Sequence, residues 1–373
     1  MEVNDILTIL KLNYAASYSN TNWIINLLEK LEKPSDIFKE NCIKEIGESE
    51  LFADKLKKFL SIALKFDAEK EYTECLSMGV KLYSYFDKNY PEKLRNISNP
   101  PLLLYVLGDI PDSLSISIVG TRKPSDYGIK YASEFSYILS KIGISIVSGL
   151  ARGVDTYVHK NTLKAGGKTV AVIGSGFKKI YPPENKEIVK RIIEKGGCII
   201  SEYSLNESPL KQNFPKRNRI ISGLSFLTIV IEGDYNSGAL ITARYAIEQG
   251  REVAALPGRI DSPLSNGPNK LIKEGAHIIK SVNDIIDLIP ASELFEIDIS
   301  KIRNLKSIDM DITEQAKKIF NYIKEKKEAT ADEIMEKFNI KVDEIFIYLF
   351  ELESNQLINF FGGKYRINDE IVL

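Results

Sequence analysis

From residue 116 onward the sequence repeats one unit: a short β-branched apolar run, usually closed by a glycine, then an amphipathic stretch. The runs are SISIVG, ISIVSG, KTVAVIG, CIISE, FLTIVIEG and REVAALPG, followed by a weaker HIIK. Between them lie helix candidates at about 126–141, 154–165, 184–196, 214–224, 237–249 and 266–274. A strand reads as a continuous apolar run when both of its faces are covered, and strands alternating with helices build a parallel sheet between two helical layers. The pattern therefore predicts an α/β domain over about 110–290, doubly wound, mostly parallel and Rossmann-like. In such sheets ligands bind outside the carboxyl ends of the strands, so the loops after the runs are the place to look for function.

The flanks follow other periods. Residues 1 to about 90 place apolar positions at helical spacing, as in NWIINLLEKLEK and ELFADKLKKFLSIALKF, and no strand-like run appears before Val80 to Phe86. The stretch YPEKLRNISNPP, Tyr90 to Pro101, reads as a lead-in to the central domain. Beyond a charged connector, ITEQAKKIFNYIKEK, TADEIMEKF and KVDEIFIYLFELESN read as three helices, the second and third starting near Thr330 and Val342. LINFFGGKYRI then gives two strand-like arms around Gly362-Gly363, a two-residue hairpin. The expected organisation is a small all-α domain over 1–80, the Rossmann-like domain over 81–290, a linker over 291–310 and a winged-helix domain over 311–373.

Composition removes several classes of function. Apolar runs such as Leu102 to Leu107 are too short to span a bilayer, and MEVNDILTILKLNY lacks the basic start and cleavage site of a signal peptide, so a cytoplasmic protein without membrane partners is expected. Cys42, Cys75 and Cys198 suit reduced thiols, and with His159 and His277 the only histidines a dedicated metal site is not expected. Fifty basic residues stand against fifty-one acidic ones. A nucleic-acid partner would thus have to be held by a local cationic patch.

Five loops are candidates. Gly120-Thr121-Arg122-Lys123 opens a helix near Ser125, where backbone N–H groups can hold an anion. SGLARGVDTYVH brackets Arg152 with Gly149 and Gly153; Asp155 and His159 read as structural there. AVIGSGFKKIYPPEN lacks the third glycine and the acidic partner of a dinucleotide fingerprint, so no NAD or FAD is expected, and Tyr181 either stacks a base or packs the loop. In FPKRNRIISG, Lys216, Arg217 and Arg219 crowd the first turn of a helix whose dipole favours negative charge, with Asn218 among them. Arg217 and Arg219 cannot share a helix face, so at most two cations meet one phosphate; Arg217 is the first choice, and one of the set could pair with Glu202. Last, Asn236-Ser237-Gly238 lead into a helix as a further anion cradle, and Glu232 beside them reads as the anchor of an arginine rather than as a base. Cations and glycines on one rim, without a nucleophile and base, fit an extended phosphate-bearing ligand better than a catalytic centre.

The ordered series Gly120-Thr121-Arg122, SGLARGVDTYVH, AVIGSGFKKIYPPEN, SEY, FPKRNRIISGLS, VIEGDYNSGALITAR, GREVAALPG and NGPNKLIKEGA, within about 80–290, resembles the DNA-processing protein A family, also called Smf. The resemblance implies an extended Rossmann fold that binds single-stranded DNA, forms homodimers and helps load the recombinase RecA onto DNA taken up in natural transformation. It implies a phosphate contact at Arg122 of the Gly120-Thr121-Arg122 motif, and it places the family's FP-x-RNR motif on Phe214, Pro215, Arg217, Asn218 and Arg219. It also implies flanking domains, a helical one of SAM or helix-hairpin-helix kind and a C-terminal winged helix, although LKLNYAASYSNTN (10–22) lacks the hairpin glycine.

A non-enzymatic strand-binding mediator without cofactor is thus the leading expectation, with contacts from Gly120, Thr121, Arg122, Arg152, Lys216, Arg217, Asn218, Arg219, Ser237 and Gly238, and with Tyr127, Tyr181 and Phe214 as stacking candidates. Two alternatives stand beside it. A nucleotide-cleaving N-glycosidase would use a glutamate in a PGGxGTxxE motif, which the sequence after Pro257-Gly258 lacks. A winged-helix regulator would read DNA with KVDEIFIYLFELESN, which sets one lysine against four acidic residues, so a protein-contact role is the better reading of 311–373.

Overall fold

The computed structural model describes residues 2–17, 21–39, 50–291, 293, 297–298, 312–354 and 357–367; Cys42 and most of the expected linker, including 299–310, lie outside that set. The chain forms two units, residues 1–298 and 299–373.

The first unit is built on nine strands: β1 (Val80–Ser84), β2 (Leu103–Gly108), β3 (Ser115–Val119), β4 (Ser145–Ser148), β5 (Thr169–Val172), β6 (Cys198–Ser201), β7 (Leu227–Val230), β8 (Glu252–Ala255) and β9 (His277–Ile278). They form one sheet in the order β1-β2-β6-β5-β4-β3-β7-β8-β9. All seven runs of the repeating unit are strands, and β3 to β9 pair in parallel. The winding starts at β3, proceeds to β6 on one side, then returns to add β7, β8 and β9 on the other. The switch point, where loops part and leave a crevice, therefore lies between β3 and β7. β1 and β2 extend the β6 edge as an antiparallel pair, the one departure from parallel order.

Helices α1 (Val3–Ala16), α2 (Asn22–Leu28), α3 (Glu50–Ala63), α4 (Ala68–Ser77) and α5 (Glu92–Arg95) precede the parallel strands. The crossovers are α6 (Asp126–Lys141), α7 (Val154–Lys164), α8 (Lys186–Glu194), α9 (Asn213–Gly223), α10 (Gly238–Glu248) and α11 (Asn266–Lys273), with α12 (Val282–Ile286) after the last strand. Ile9, Leu10 and Leu12 of α1 share one apolar cluster with Tyr105, Ala171 and Ile199 of the sheet. Each such buried side chain contributes about 1.5–3 kcal/mol relative to exposure, so burial holds the N-terminal helices on the sheet. Polar contacts fix the register: Asn13 Nδ2 donates to the Glu202 carbonyl at 2.9 Å, and the Leu205 amide donates to Glu71 Oε1 at 2.6 Å.

The second unit contains α13 (Glu314–Lys326), β10 (Glu328–Ala329), α14 (Ala331–Phe338), α15 (Val342–Ser354), β11 (Ile358–Phe361) and β12 (Lys364–Ile367), with sheet order β10-β12-β11. Thr330 starts α14 as expected: Thr330 Oγ1 accepts from the Glu333 amide at 3.2 Å, while Glu333 accepts from the Thr330 amide at 2.9 Å. Gly362 and Gly363 both have positive φ, +60° and +80°, which a two-residue hairpin turn requires. Ile319, Ile334, Ile345 and Leu349 form its core.

Candidate nucleic-acid interface

The loop after β3 is pinned by its neighbours. The Thr121 amide donates to the Glu232 carbonyl at 2.7 Å, and the Thr121 carbonyl accepts from the Val154 amide at 3.1 Å. Gly153, with φ +76°, makes the second contact possible. A Cβ there would fall 2.4 Å from the Thr121 carbonyl oxygen and 2.7 Å from Arg122 Cα. Held in this way, Arg122 is exposed on the rim, its guanidinium 5.7 Å from the centroid of the Phe214 ring.

Arg152, in the loop after β4, is a second exposed arginine. It lies 5.3 Å from the Tyr181 ring, donates to Tyr181 Oη at 2.9 Å and forks onto Glu184, with Nη2 3.2 Å from Oε2. The Tyr181 and Phe214 rings are 5.8 Å apart and tilted by 59°. Arg122, Gly149, Ala151, Arg152, Tyr181 and Phe214 together line a shallow cleft. Its pattern is two aromatic rings flanked by two guanidiniums, each cation held on a ring face by the ring's quadrupole. Of the other stacking candidates, Tyr127 is partly spent on structure: its hydroxyl donates to the Pro257 carbonyl at 2.6 Å and its ring packs on Tyr131 at 4.8 Å.

The cluster in FPKRNRIISG behaves differently from a surface patch. Arg217 is 4% exposed. Its Nη1 donates to the carbonyls of Gly149, at 2.7 Å, and of Val172, and its Nε donates to Asn218 Oδ1 at 3.2 Å. Strands β4 and β5 end there, leaving carbonyls that the sheet no longer pairs, and the guanidinium satisfies them. Burial, despite Asp155 nearby, lowers the Arg217 pKa to about 10. Arg219 is 2% exposed and forks onto Glu202, at 2.9 and 2.6 Å, with Nε donating to the Asn99 carbonyl at 2.8 Å. This is the Glu202 pairing that the sequence offered. The expected phosphate contacts at Arg217 and Arg219 are therefore corrected, because their donors face inward and are in use. Lys216 is half-buried and donates to the Ser17 carbonyl at the end of α1, 2.6 Å away, while Asn218 donates to the Gly238 carbonyl at 3.1 Å.

The expected anion cradle at the start of α6 is occupied from within, and Asp155 in the loop after β4 has backbone partners of its own. At the start of α6, Glu232 accepts from the Ser125 amide at 2.9 Å and from Ser125 Oγ at 2.5 Å, so this carboxylate caps a helix rather than anchoring an arginine or serving as a base. After β4, Asp155 accepts from the amides of Gly149 and Ala151 at 3.1 and 3.2 Å. Ser237 caps α10, accepting from the Ala239 amide at 3.3 Å, and Gly238 remains exposed on the rim. His159 is structural: its Nδ1 pairs with Thr169 Oγ1 at 2.8 Å, and burial lowers its pKa to about 3, so the ring is neutral. Among the described residues no group of His, Cys, Asp or Glu side chains is arranged to hold a metal ion.

The family model for DNA recombination-mediator protein A matches residues 81–290, more than half of the chain. The chain belongs to that family. Among its relatives, Protein Smf of Escherichia coli K12 is 42% identical over 200 residues, which are 53% of this chain and 54% of that one, so the match spans about half the length of this curated relative. The X-ray structure of DNA processing protein A from Streptococcus pneumoniae superposes with a TM-score of 0.65 at 33% identity, covering 78% of this chain and 99% of that one. A second structure, from Helicobacter pylori, concerns the single-stranded DNA binding mode of its DNA processing protein A; it gives a TM-score of 0.51 at 30% identity, covering 58% of this chain and 98% of that one. Membership in the DNA recombination-mediator protein A family and these superpositions establish the Rossmann-like core.

Sequence reasoning found Arg122, Arg152, Tyr181 and Phe214 singly but not their pairing, nor Glu184 as the partner of Arg152. Tyr181 and Glu184 share one loop, but Arg122, Arg152 and Phe214 come from separate segments with no common spacing. For Arg217 a signal existed, since it precedes Ile220 and Ile221 by three and four residues and thus lies on the stripe that packs.

Proposed function

We propose that the cleft binds single-stranded DNA, and that the protein is a non-enzymatic recombination mediator which holds incoming strands and helps load RecA onto them in natural transformation, working as a cytoplasmic homodimer. The carrying observation is the pair of exposed guanidiniums beside two adjoining aromatic rings on the carboxyl rim of the sheet. The single-stranded DNA binding addressed for the Helicobacter pylori relative supports the same reading. Phosphates would meet Arg122 and Arg152, with one phosphate replacing Glu184 as the partner of Arg152. Bases would stack on Phe214 and Tyr181, which demands an unpaired strand and tolerates any base, because each presents a π face.

The test is a titration of labelled oligothymidine at two or more salt concentrations. Arg122→Ala should flatten the dependence of log affinity on log salt by about 0.7, the value of one phosphate of a single strand. Phe214→Ala should weaken binding by about 1–3 kcal/mol with the slope unchanged. Binding that ignores salt, or equal affinity for duplex, would reject the reading. Retention of RecA on the oligonucleotide-loaded protein tests the loading role separately.

A further inference from the structure

Six large apolar side chains within twenty residues of the second unit stand exposed: Val342 (60%), Phe346 (54%), Ile347 (64%) and Phe350 (72%) on α15, with Phe360 (56%) and Phe361 (73%) on β11. Single exposed apolar residues are ordinary, but a contiguous group marks an interaction surface. Val342, Phe346 and Phe350 are spaced i, i+4, i+8 and Ile347 stands beside them, while Ile345, Leu349 and Leu352 on the adjoining side of the helix fill the core. A row at that spacing is one ridge of a helix surface, and the shape it complements is the groove of another helix. Phe360 and Phe361 are successive residues of β11, so their side chains point to opposite faces of that strand, and the row on α15 carries the argument by itself.

The charges around this face choose among occupants. The sequence of α15 contains Asp343, Glu344, Glu351 and Glu353 and no Lys or Arg; Glu351 already accepts from the amide and hydroxyl of Thr313 at 2.7 and 2.8 Å, and Lys341, just before the helix, is the nearest cation along the chain. The basic groups of β12 are already paired, Lys364 with Glu328 and Arg366 Nη2 with Glu328 Oε2 at 2.6 Å. An acidic, apolar surface repels the phosphates of a duplex. It also disfavours a second copy, because an isologous contact would bring the same carboxylates together. We propose that this face of α15 docks a basic amphipathic helix of another protein, its apolar stripe on Phe346 and Phe350 and its lysines or arginines over the acidic flank.

The probe is a labelled fourteen-residue helix of leucine and lysine, titrated into the full chain by fluorescence anisotropy, with a leucine–glutamate helix of the same pattern as the control. The lysine helix should bind at least about tenfold more tightly than the glutamate helix, and Phe346→Ser and Phe350→Ser should each weaken it about tenfold, as truncating an aromatic anchor does. Both positions are exposed, so the variants should unfold at the wild-type temperature, and oligothymidine binding should not change. Equal binding of the two helices, or indifference to both substitutions, overturns the proposal. So does self-association that both substitutions abolish, which would assign the face to a second copy, or duplex binding lost in both, which would assign it to nucleic acid.

Discussion

Replacing Arg219 with alanine separates a structural cation from a DNA contact. Arg219 and Glu202 form a bidentate pair that is 2% and 5% exposed. Burial alone would raise the Glu202 carboxyl; Arg219 and then Lys216 outweigh it and hold the group below its ordinary value. Deleting one member of such a pair leaves an uncompensated charge, at a cost of about 3–5 kcal/mol. For a unit spanning residues 1–298 each kcal/mol moves the unfolding midpoint by about 1.6 °C, so Arg219→Ala should melt roughly 5–8 °C below wild type. The double variant Arg219→Met, Glu202→Leu should recover much of that loss, since an apolar pair of similar volume leaves no stranded charge.

Acid provides an internal control. In the wild type the folded-state pKa of Glu202 is depressed, so its contribution is present above the ordinary carboxylate pKa and is lost as pH falls through the folded value. In Arg219→Ala burial dominates and the pKa should rise, so protonation relieves the stranded charge and the gap between variant and wild type should close as pH falls. The assays are thermal unfolding by circular dichroism across pH, and oligothymidine titration at 10 °C, where both proteins are folded. An Arg219→Ala protein that melts with the wild type but loses strand affinity as Arg122→Ala does would refute the inward placement of the motif.

Two further outcomes follow from the same geometry. His159 is buried and neutral with a folded pKa of about 3 against 6.5 unfolded, so the stability it permits is complete above 6.5 and is lost as pH falls; at pH 5 the loss should be about 2 kcal/mol, and His159→Gln should remove that part of the slope in urea unfolding at pH 7 and 5. Gly153→Ala places a Cβ against the Thr121 carbonyl at positive φ, so it should destabilise by about 1–3 kcal/mol and also weaken oligothymidine binding by shifting Arg122; wild-type values in both denaturant and strand titrations would show that the contact yields.

The parallel core is legible in the sequence because its strands are covered on both faces and therefore read as unbroken apolar runs, each followed by a helix of regular period. The antiparallel pair β1 and β2 is less so. Leu102 to Leu107 is equally apolar, but nothing local states that Val80 pairs with Leu107 or that Tyr105 lies opposite Ser201 across β6. β10 escapes for a different reason, since two residues have no period. In the candidate site, position along the chain is readable and orientation is not. Arg122 and Arg152 follow strand ends and do reach the rim, whereas the direction of Arg217 and Arg219 depends on which face of α9 packs. The helix dipole alone disfavours cations in that first turn. Carbonyls at the ends of β4 and β5 and the Glu202 carboxylate receive the two guanidiniums and outweigh it, and these acceptors lie far from the motif in sequence.

That arrangement explains how so charged a motif turns its arginines inward and gives only Phe214 to the lining of the cleft. Arg217 joins the first turn of α9 to the ends of two strands, and Asn218 joins the same turn to Gly238 at the start of α10. Phe214 stands three residues before Arg217 on that fixed turn and is half-buried, so its position is set by the buried hydrogen bonds beside it. A ring that is already in place loses little freedom when a base stacks on it, which favours affinity without sequence preference. The inward cations and the outward ring are thus parts of one device. Charge fixes the helix to the sheet, and the residue with no charge, placed between Arg122 and Tyr181, is the part of the motif that lines the cleft.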